Sequence, residues 1–239
     1  KDYMTIDVLA YFNPDTNAGD RGVPPPIISI VDMLSRERRE ACNKIAWGLV
    51  DLGYLMEDTV ERMQKDYGNQ ILGKAEIARM LTSPRHACSG KVLGSTEEAW
   101  DLMRREFRTL VRQTIDPTDL CNIVRKEGGL TSIAHPGRIL GPKGKRLSRG
   151  DLTLLIERVK PDAIECYYPY NRMVADINRE ESATIRIMMI ALAESNGLLV
   201  TGGSDFHGTK CSRGVSSPGD ISLPSQYTRR FLEALHYKI

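Results

Sequence analysis

The sequence lacks long apolar segments: no run approaches the roughly 18 uninterrupted apolar residues that a membrane-spanning helix needs. It also lacks an excess of charge of one sign, because 33 Lys and Arg face 31 Asp and Glu, a net charge of +2. This balance gives no overall basic field for binding nucleic acid. With 41% hydrophobic residues over 239 positions, the composition is that of one large globular domain or two small ones.

Cysteine is scarce: five residues lie far apart in the chain, and none belongs to a CxxC pair. An odd, scattered set of this kind is typical of reduced thiols, and we recognise no signal peptide. The sequence therefore predicts a cytoplasmic protein with no membrane partner. Because the chain begins at Lys1 within a segment patterned like a strand, we expect it to be part of a longer protein.

The first half of the chain predicts one strand followed by helices. Residues 6–12 are a short, mostly apolar run that predicts a buried strand. Apolar residues at helical spacing predict a long helix over about residues 29–52, and a Ser-x-x-Glu capping box opens another over about 95–113. Asp116 followed by Pro117 marks the start of a further helix.

From residue 130 onward the pattern alternates. Strands are predicted at 130–134, 163–168 and 198–201, with helices of 10–20 residues between them. This order is typical of βαβ units around a parallel sheet, and the sequence therefore predicts the α/β class.

A carboxylate and two imidazoles follow the predicted strands closely. His135 comes after the first of them, and Asp205 and His207 come after the last. The carboxyl ends of parallel strands carry the active sites of such folds, and residues two apart in an extended segment project to the same side. Each residue alone is more often a hydrogen-bonded loop residue or a cap. Together they form a typical ligand set for a divalent metal ion.

Positive charge is concentrated in the loop that follows the first of these strands. The loop has no acidic residue and contains five cationic residues, which are Arg138, Lys143, Lys145, Arg146 and Arg149. It does not have the spacing of a P-loop. We expect it to bind substrate phosphates or a nucleic-acid backbone, the alternative being a solvated basic loop. Glu165 stands within an otherwise apolar strand, either near the site or in a cap or core ion pair.

Two motifs carry a resemblance to a known family. The segment 128–138 (GGLTSIAHPGR) resembles the "GG…AHPGR" element of the PHP (polymerase and histidinol phosphatase) superfamily, and 200–208 (VTGGSDFHG) resembles its "GSDxHG" element. Weaker similarities at 161–168, 7–12 and 73–80 extend the resemblance over nearly the whole chain. The metal-dependent phosphoesterases of that superfamily are the most similar members.

The resemblance implies a distorted (β/α)7 barrel with two or three divalent metal ions at its mouth. We accordingly expect a single PHP-like domain over residues 1–239 with a helical insertion at about 29–114. The family's further ligand motifs precede the strand that resembles 7–12 and have no counterpart here. Asp7 and Glu76 stand where the family has histidine. The barrel is therefore expected to be incomplete at its N-terminus, as a piece of an enzyme or as a degenerate member.

The expected function is metal-dependent hydrolysis of phosphoesters of nucleotides or nucleic-acid ends. The expected substrate is thus a phosphorylated small molecule, which includes sugar-type phosphates, or a nucleic-acid end. His135, Asp205 and His207 are the predicted catalytic metal ligands. Mixed oxygen and nitrogen ligands suit Mn²⁺, Fe²⁺ or Zn²⁺. The predicted substrate-binding residues, which would neutralise phosphate charge, are Arg138, Lys143, Lys145 and Arg146. The alternatives are a non-catalytic PHP-like domain serving as scaffold or binding module in a larger protein, and an amidohydrolase on a related barrel.

Overall fold

The computed structural model describes residues 6–15, 22–67, 73–107, 115–141, 145–174, 176–206 and 217–236. The chain divides into two compact units. Residues 28–114 form the first, which we call the helical unit, and residues 1–27 together with 115–239 form the second, the sheet unit.

The described residues form four strands and nine α-helices. In chain order they are β1 (Val8–Tyr11), α1 (Pro25–Asp51), α2 (Glu57–Tyr67), α3 (Lys74–Leu81), α4 (Thr96–Glu106), α5 (Pro117–Lys126), β2 (Leu130–Ile133), α6 (Arg149–Val159), β3 (Ala163–Tyr167), α7 (Tyr170–Met173), α8 (Arg179–Ser195), β4 (Leu199–Gly202) and α9 (Ser225–Ala234). In this part of the chain no helix is both long and apolar enough to cross a membrane.

The four strands form one sheet in the order β1-β2-β3-β4. Strands β2, β3 and β4 run parallel, with Ile164 of β3 paired to Ile133 on one side and Val200 on the other. Helix α6 connects β2 to β3, and α8 lies between β3 and β4. The predicted parallel βαβ units are therefore confirmed, and their carboxyl ends share one edge of the sheet. A seven-stranded barrel is not confirmed, and the single domain with its insertion stays a prediction.

Strand β1 differs from the expectation. It pairs antiparallel with β2, Val8 opposite Ile133, at the edge of the sheet that the described residues form. Leu9 is 37% exposed. The prediction of a buried strand is therefore wrong: every residue of β1 is partly or largely exposed, because an edge strand has a neighbouring strand on one side only. The antiparallel direction brings Asp7, just before β1, to the end of β2: the backbone N–H of Ala134 donates to the carbonyl of Asp7 at 2.9 Å.

The core of the sheet unit lies between the strands and helices α5, α6 and α8. Ile133 and Ile164 of the strands pack with Leu152 of α6 and Leu192 of α8, all of them almost fully buried. Helix α5 begins as the sequence predicts: the Asp116 side chain, its N-cap, accepts from the backbone N–H of Thr118 at 2.8 Å. Helix α1 begins at Pro25, earlier than the predicted start at about residue 29. This packing fixes the ends of β2, β3 and β4 in place.

The helical unit has an apolar core of its own, formed by helices α1 to α4. Ile45 and Leu49 of α1 pack there with Ile77 and Leu81 of α3. The Ser95 side chain accepts from the backbone N–H of Glu98 at 3.1 Å and so caps α4, as the capping box predicts.

Candidate active site

The loops that follow β2 and β4 leave their strands through strained backbone. His135 has a φ of 30° and Asp205 a φ of 56°. Both values lie in the left-handed region that residues other than glycine rarely adopt. Pro136–Arg138 then form a single 3-10 turn. Strained residues of this kind persist where the surroundings fix them, and they concentrate at functional sites.

Glu165 of β3 is the most buried charged group of this region, at 5% exposure. Its Oε2 accepts a 2.7 Å hydrogen bond from the backbone N–H of His135. Its Oε1 faces Gly203, where an added Cβ would lie 2.7 Å away. Burial raises the pKa of Glu165 to about 7, the negative charge of Asp205 adds to the rise, and the bond from His135 opposes it. Glu165 therefore gains or loses a proton near neutral pH.

The imidazole of His135 lies at the mouth of the site. Its ring packs edge-on against Tyr168, with the centroids 5.2 Å apart, and its Nε2 is 3.6 Å from Oδ2 of Asp7. Its Nδ1 is buried and has no hydrogen-bond partner among the described residues. Burial first, and then the nearby charge of Arg138, lower the pKa of His135. The ring is therefore neutral at physiological pH, the form in which imidazole binds a metal ion.

Asp205, Tyr168 and Arg138 form a closed triangle of hydrogen bonds. The Tyr168 hydroxyl donates to Oδ2 of Asp205 at 2.9 Å. Nη1 of Arg138 donates to the same oxygen at 3.2 Å and to the Tyr168 hydroxyl at 2.7 Å. Burial strongly raises the pKa of Tyr168, so that the phenol stays protonated. One cation is thus fixed beside the carboxylate of Asp205.

A second tyrosine holds the turn after β2. The Tyr170 hydroxyl accepts from the backbone N–H of Gly137 at 3.0 Å. A Cβ on Gly137 would lie 2.8 Å from the Tyr170 ring and 2.9 Å from Ile185, so only glycine fits this close approach. Neither Tyr168 nor Tyr170 is among the site residues that the sequence predicts. The available signal was two tyrosines directly after β3, at the edge where the other site residues stand.

The structure brings His135, Arg138 and Asp205 of the predicted site together. His207 and Lys143 lie outside the described residues. Lys145 and Arg146 line a cavity next to Arg138. The catalytic, metal-binding and substrate-binding roles assigned to all of these residues stay predictions.

Glu76, which stands where the similar PHP motif has histidine, lies in the helical unit. Its carboxylate makes hydrogen bonds at the start of α3, the helix to which it belongs. Its Oε2 accepts from the backbone N–H of Gly73 at 3.0 Å, at the start of α3. Its other carboxylate oxygen pairs with Arg79 at 2.9 Å. Both interactions are local, as is usual for an acidic residue in the first turn of a helix.

The imidazole of His135 and the carboxylates of Glu165 and Asp205 are groups that bind divalent metal ions. Their positions do not form a complete set of metal ligands. Among the described residues, no group of three or more His, Cys, Asp and Glu is placed to hold one. Asp205 already shares Oδ2 with Arg138 and Tyr168. The unpaired Nδ1 of His135 is the feature that fits a bound cation.

Comparison with solved structures shows the fold. A Bifidobacterium adolescentis protein assigned as a metal-dependent phosphoesterase matches with a TM-score of 0.63 and 19% identity, over 96% of this chain and 71% of its own. An amidohydrolase from Chromobacterium violaceum, solved with bound sulfate and no metal, matches with a TM-score of 0.60 and 17% identity, over 90% of this chain and 68% of its own. Both matches are at low sequence identity and show a shared fold. No protein-family model and no curated protein sequence matches the chain.

Proposed function

We propose that the chain hydrolyses phosphoesters with the help of bound divalent metal ions. The observation that carries the proposal is the meeting of His135 after β2, Glu165 within β3 and Asp205 after β4, linked by the 2.7 Å bond from His135 to Glu165 and by the charge of Asp205 near both. Two hydrolases of the same fold support it, one of them a metal-dependent phosphoesterase. Such active sites are built from the loops at these strand ends.

His135 and Asp205 would hold the metal, with His207 completing the set. A bound ion would supply the activated water and the positive charge that polarises the phosphoryl oxygens. Mn²⁺, Fe²⁺ or Zn²⁺ suit nitrogen and carboxylate donors without thiolate. The buried Nδ1 of His135, which accepts no hydrogen bond from the described residues, supports a metal-binding role for this ring.

The chain's own cation would bind the substrate. Arg138 presents a planar set of donors that matches phosphate oxygens, and the Tyr168 hydroxyl fixes its Nη1 at 2.7 Å. Arg138 therefore orients the phosphate beside Asp205. Glu165, with its pKa near 7, would hold a proton at Oε1, the oxygen that faces the small Gly203.

The substrate of this proposal is a nucleotide or a nucleic-acid end. The amidohydrolase neighbour supports amide hydrolysis as a second candidate. A non-catalytic scaffold is the remaining alternative, and the ion pair between Arg138 and Asp205 favours it, because that pair occupies a carboxylate oxygen that a metal would use.

The test measures hydrolysis of 4-nitrophenyl phosphate, of bis(4-nitrophenyl) phosphate and of a 4-nitroanilide by the purified chain, with Mn²⁺, Fe²⁺ or Zn²⁺ and with a chelator. We expect metal-dependent cleavage of a phosphate ester and a loss of about a hundredfold or more in kcat/KM for His135→Ala. His86→Ala is the matched control, because the Nδ1 of His86 is also buried without a partner in the described structure, but in the helical unit. Cleavage of the anilide alone would favour an amidohydrolase. Inertness toward all three substrates with each of the metal ions would contradict the proposed hydrolysis by this chain.

A further inference from the structure

A cavity of about 660 Å³ lies beside the candidate active site, within the sheet unit. We call it the side cavity. One wall is the segment that returns after the 3-10 turn: Leu140 and Arg146 pair as an antiparallel bridge, and the backbone N–H of Gly141 donates to the carbonyl of Lys145 at 2.8 Å. This pairing places the side chains of Leu140, Lys145 and Arg146 along the cavity.

The other lining residues belong to the end of α7 and the segment after it. Met173 and Val174 line the cavity there and pack against the buried cluster of Tyr168 and Tyr170. That cluster is the one that fixes Arg138 and the turn after β2. The apolar wall is therefore continuous with the framework of the candidate active site.

Arg138 belongs to both places. Its Nη1 contacts Asp205 and Tyr168 in the candidate active site, and its side chain also lines the side cavity. A ligand held by this guanidinium can therefore extend into the cavity.

The charges and apolar groups of the lining define the ligand. Arg138, Lys145 and Arg146 line the cavity together with one carboxylate, Asp176. Because Arg138 also pairs with Asp205, the three cations exceed the nearby carboxylates by one charge, which favours an anion. Oδ2 of Asp176 pairs with Nη2 of Arg146 at 2.8 Å and links the two lining segments. Leu140 lines the cavity, and its side chain is 52% exposed. An apolar group of a ligand that packs against Leu140 would remove this apolar surface from water.

The size of the cavity suits a small ligand. A volume of about 660 Å³ lies within the range of sites that bind one small molecule, roughly 300–1,000 Å³. Arg146 pairs there with Asp176, whose side chain is 76% exposed, so the cavity is open to solvent on that side.

We propose that the side cavity binds the organic group of a small phosphate monoester, with an apolar part against Leu140, Met173 and Val174 and its phosphate at Arg138. The proposal deepens the proposed function, on which it rests, by naming the size and polarity of the substrate. It also assigns Leu140 as a residue that determines specificity through contact with the organic group.

The test measures binding by calorimetry to the full chain without added metal, so that its readout does not depend on catalysis. The probes are inorganic phosphate, phenyl phosphate and a 5′-phosphorylated oligonucleotide. We expect phenyl phosphate to bind about tenfold more tightly than phosphate, because the phenyl group is buried in the cavity. The oligonucleotide should bind no more tightly than phenyl phosphate at about 0.5 M salt. At this concentration, ions screen the attraction between its phosphate backbone and the basic residues of the protein.

Leu140→Ala is expected to remove most of the preference for phenyl phosphate and to leave the affinity for inorganic phosphate unchanged. Leu154→Ala is the matched control, because Leu154 on α6 is 66% exposed and does not line the cavity. Equal affinities of the wild type for phosphate and phenyl phosphate, or equal behaviour of the two variants, would overturn the proposal. Selective binding without hydrolysis under any metal would instead refute the proposed function and leave the side cavity as a binding site.

Discussion

The backbone N–H of His135 donates a 2.7 Å hydrogen bond to the carboxylate of Glu165, and this bond joins the end of β2 to the middle of β3. It provides a partner for a backbone donor at a residue whose φ of 30° places it outside both helix and strand. The same bond holds a buried carboxylate in the site. Its strength therefore depends on the protonation of Glu165, which is the basis of the first prediction.

Replacing Glu165 by Gln is expected to change how stability depends on pH. Burial raises the pKa of Glu165 from 4.5 to about 7, so the folded state retains a proton that the unfolded chain releases above pH 4.5. The wild type therefore loses stability as pH rises from about 4.5 to 7, and the loss is complete above that range. The Gln variant has no such loss and should gain about 2–3 kcal/mol relative to the wild type between pH 4 and 8. Urea unfolding at several pH values measures the difference.

Glu157→Gln is the control for this experiment, because Glu157 is exposed on α6. Its free energy of unfolding should follow that of the wild type at every pH. His135, whose pKa is lowered by burial, contributes stability that is lost as pH falls through its unfolded pKa, but this contribution cancels between wild type and Glu165→Gln. A constant difference between the two across the pH range would contradict a raised pKa of Glu165.

Gly203→Ala is expected to destabilise the chain by about 1–3 kcal/mol, because overpacking next to a buried group is unfavourable. Its Cβ would lie 2.7 Å from Oε1 of Glu165. Gly150→Ala is the control, because the atom nearest to its added Cβ would be Oγ of Ser148 at 3.8 Å. Gly150 lies in α6, where alanine favours the helix. Thermal unfolding compares the two. In a Glu165→Ala background, the loss of stability caused by Gly203→Ala should largely disappear. An unchanged loss would show that the added Cβ clashes with a group other than Glu165.

Much of the fold follows from local pattern. The alternation after residue 130 and the cap at Asp116 predict β2, β3, β4 and the start of α5, because strand and helix periods and caps are properties of short segments. The antiparallel edge position of β1 does not follow, because pairing between residues 8 and 133 depends on the whole chain.

The candidate site shows the same division. His135 and Asp205 are visible in the sequence because they directly follow strands. Tyr168 and Tyr170 are not, since their hydroxyl groups act on Asp205 and Gly137, residues 37 and 33 positions away. The raised pKa of Glu165 likewise depends on burial, which a strand pattern leaves open until the register of the sheet is known.

Tyr168→Phe is expected to loosen Arg138 without disturbing the aromatic cluster. The variant keeps the ring that packs on Tyr170 at a centroid distance of 4.7 Å but removes the hydroxyl that joins Arg138 to Asp205. Stability should fall by about 1 kcal/mol, the typical value of a hydrogen bond, with a somewhat larger loss because Asp205 is charged. Phosphate affinity should fall as well, since the guanidinium is no longer fixed in orientation.

Tyr227→Phe serves as the control for Tyr168→Phe, because Tyr227 on α9 packs against the Tyr167 ring at 6.1 Å and does not contact Arg138 in the described bonds. Denaturant unfolding and phosphate titration measure both variants. If Tyr168→Phe matched the control in both, the hydroxyl would have no part in positioning Arg138.

Metal binding to the chain is expected to be weak and to compete with Arg138. Nη1 of Arg138 lies 3.2 Å from Oδ2 of Asp205, an oxygen that a metal ion would need, and its charge repels a cation. An incomplete ligand set also holds its ion weakly, so the purified chain should retain less than one tightly bound ion. Arg138→Gln removes the competing charge and should raise Mn²⁺ affinity about threefold to tenfold while weakening phosphate binding.

Arg172→Gln, which breaks a comparable 3.2 Å pair with Asp220, is the control. Calorimetric titration with Mn²⁺ measures both variants, and a lower Mn²⁺ affinity in Arg138→Gln would show that Arg138 supports the metal site rather than competing with it.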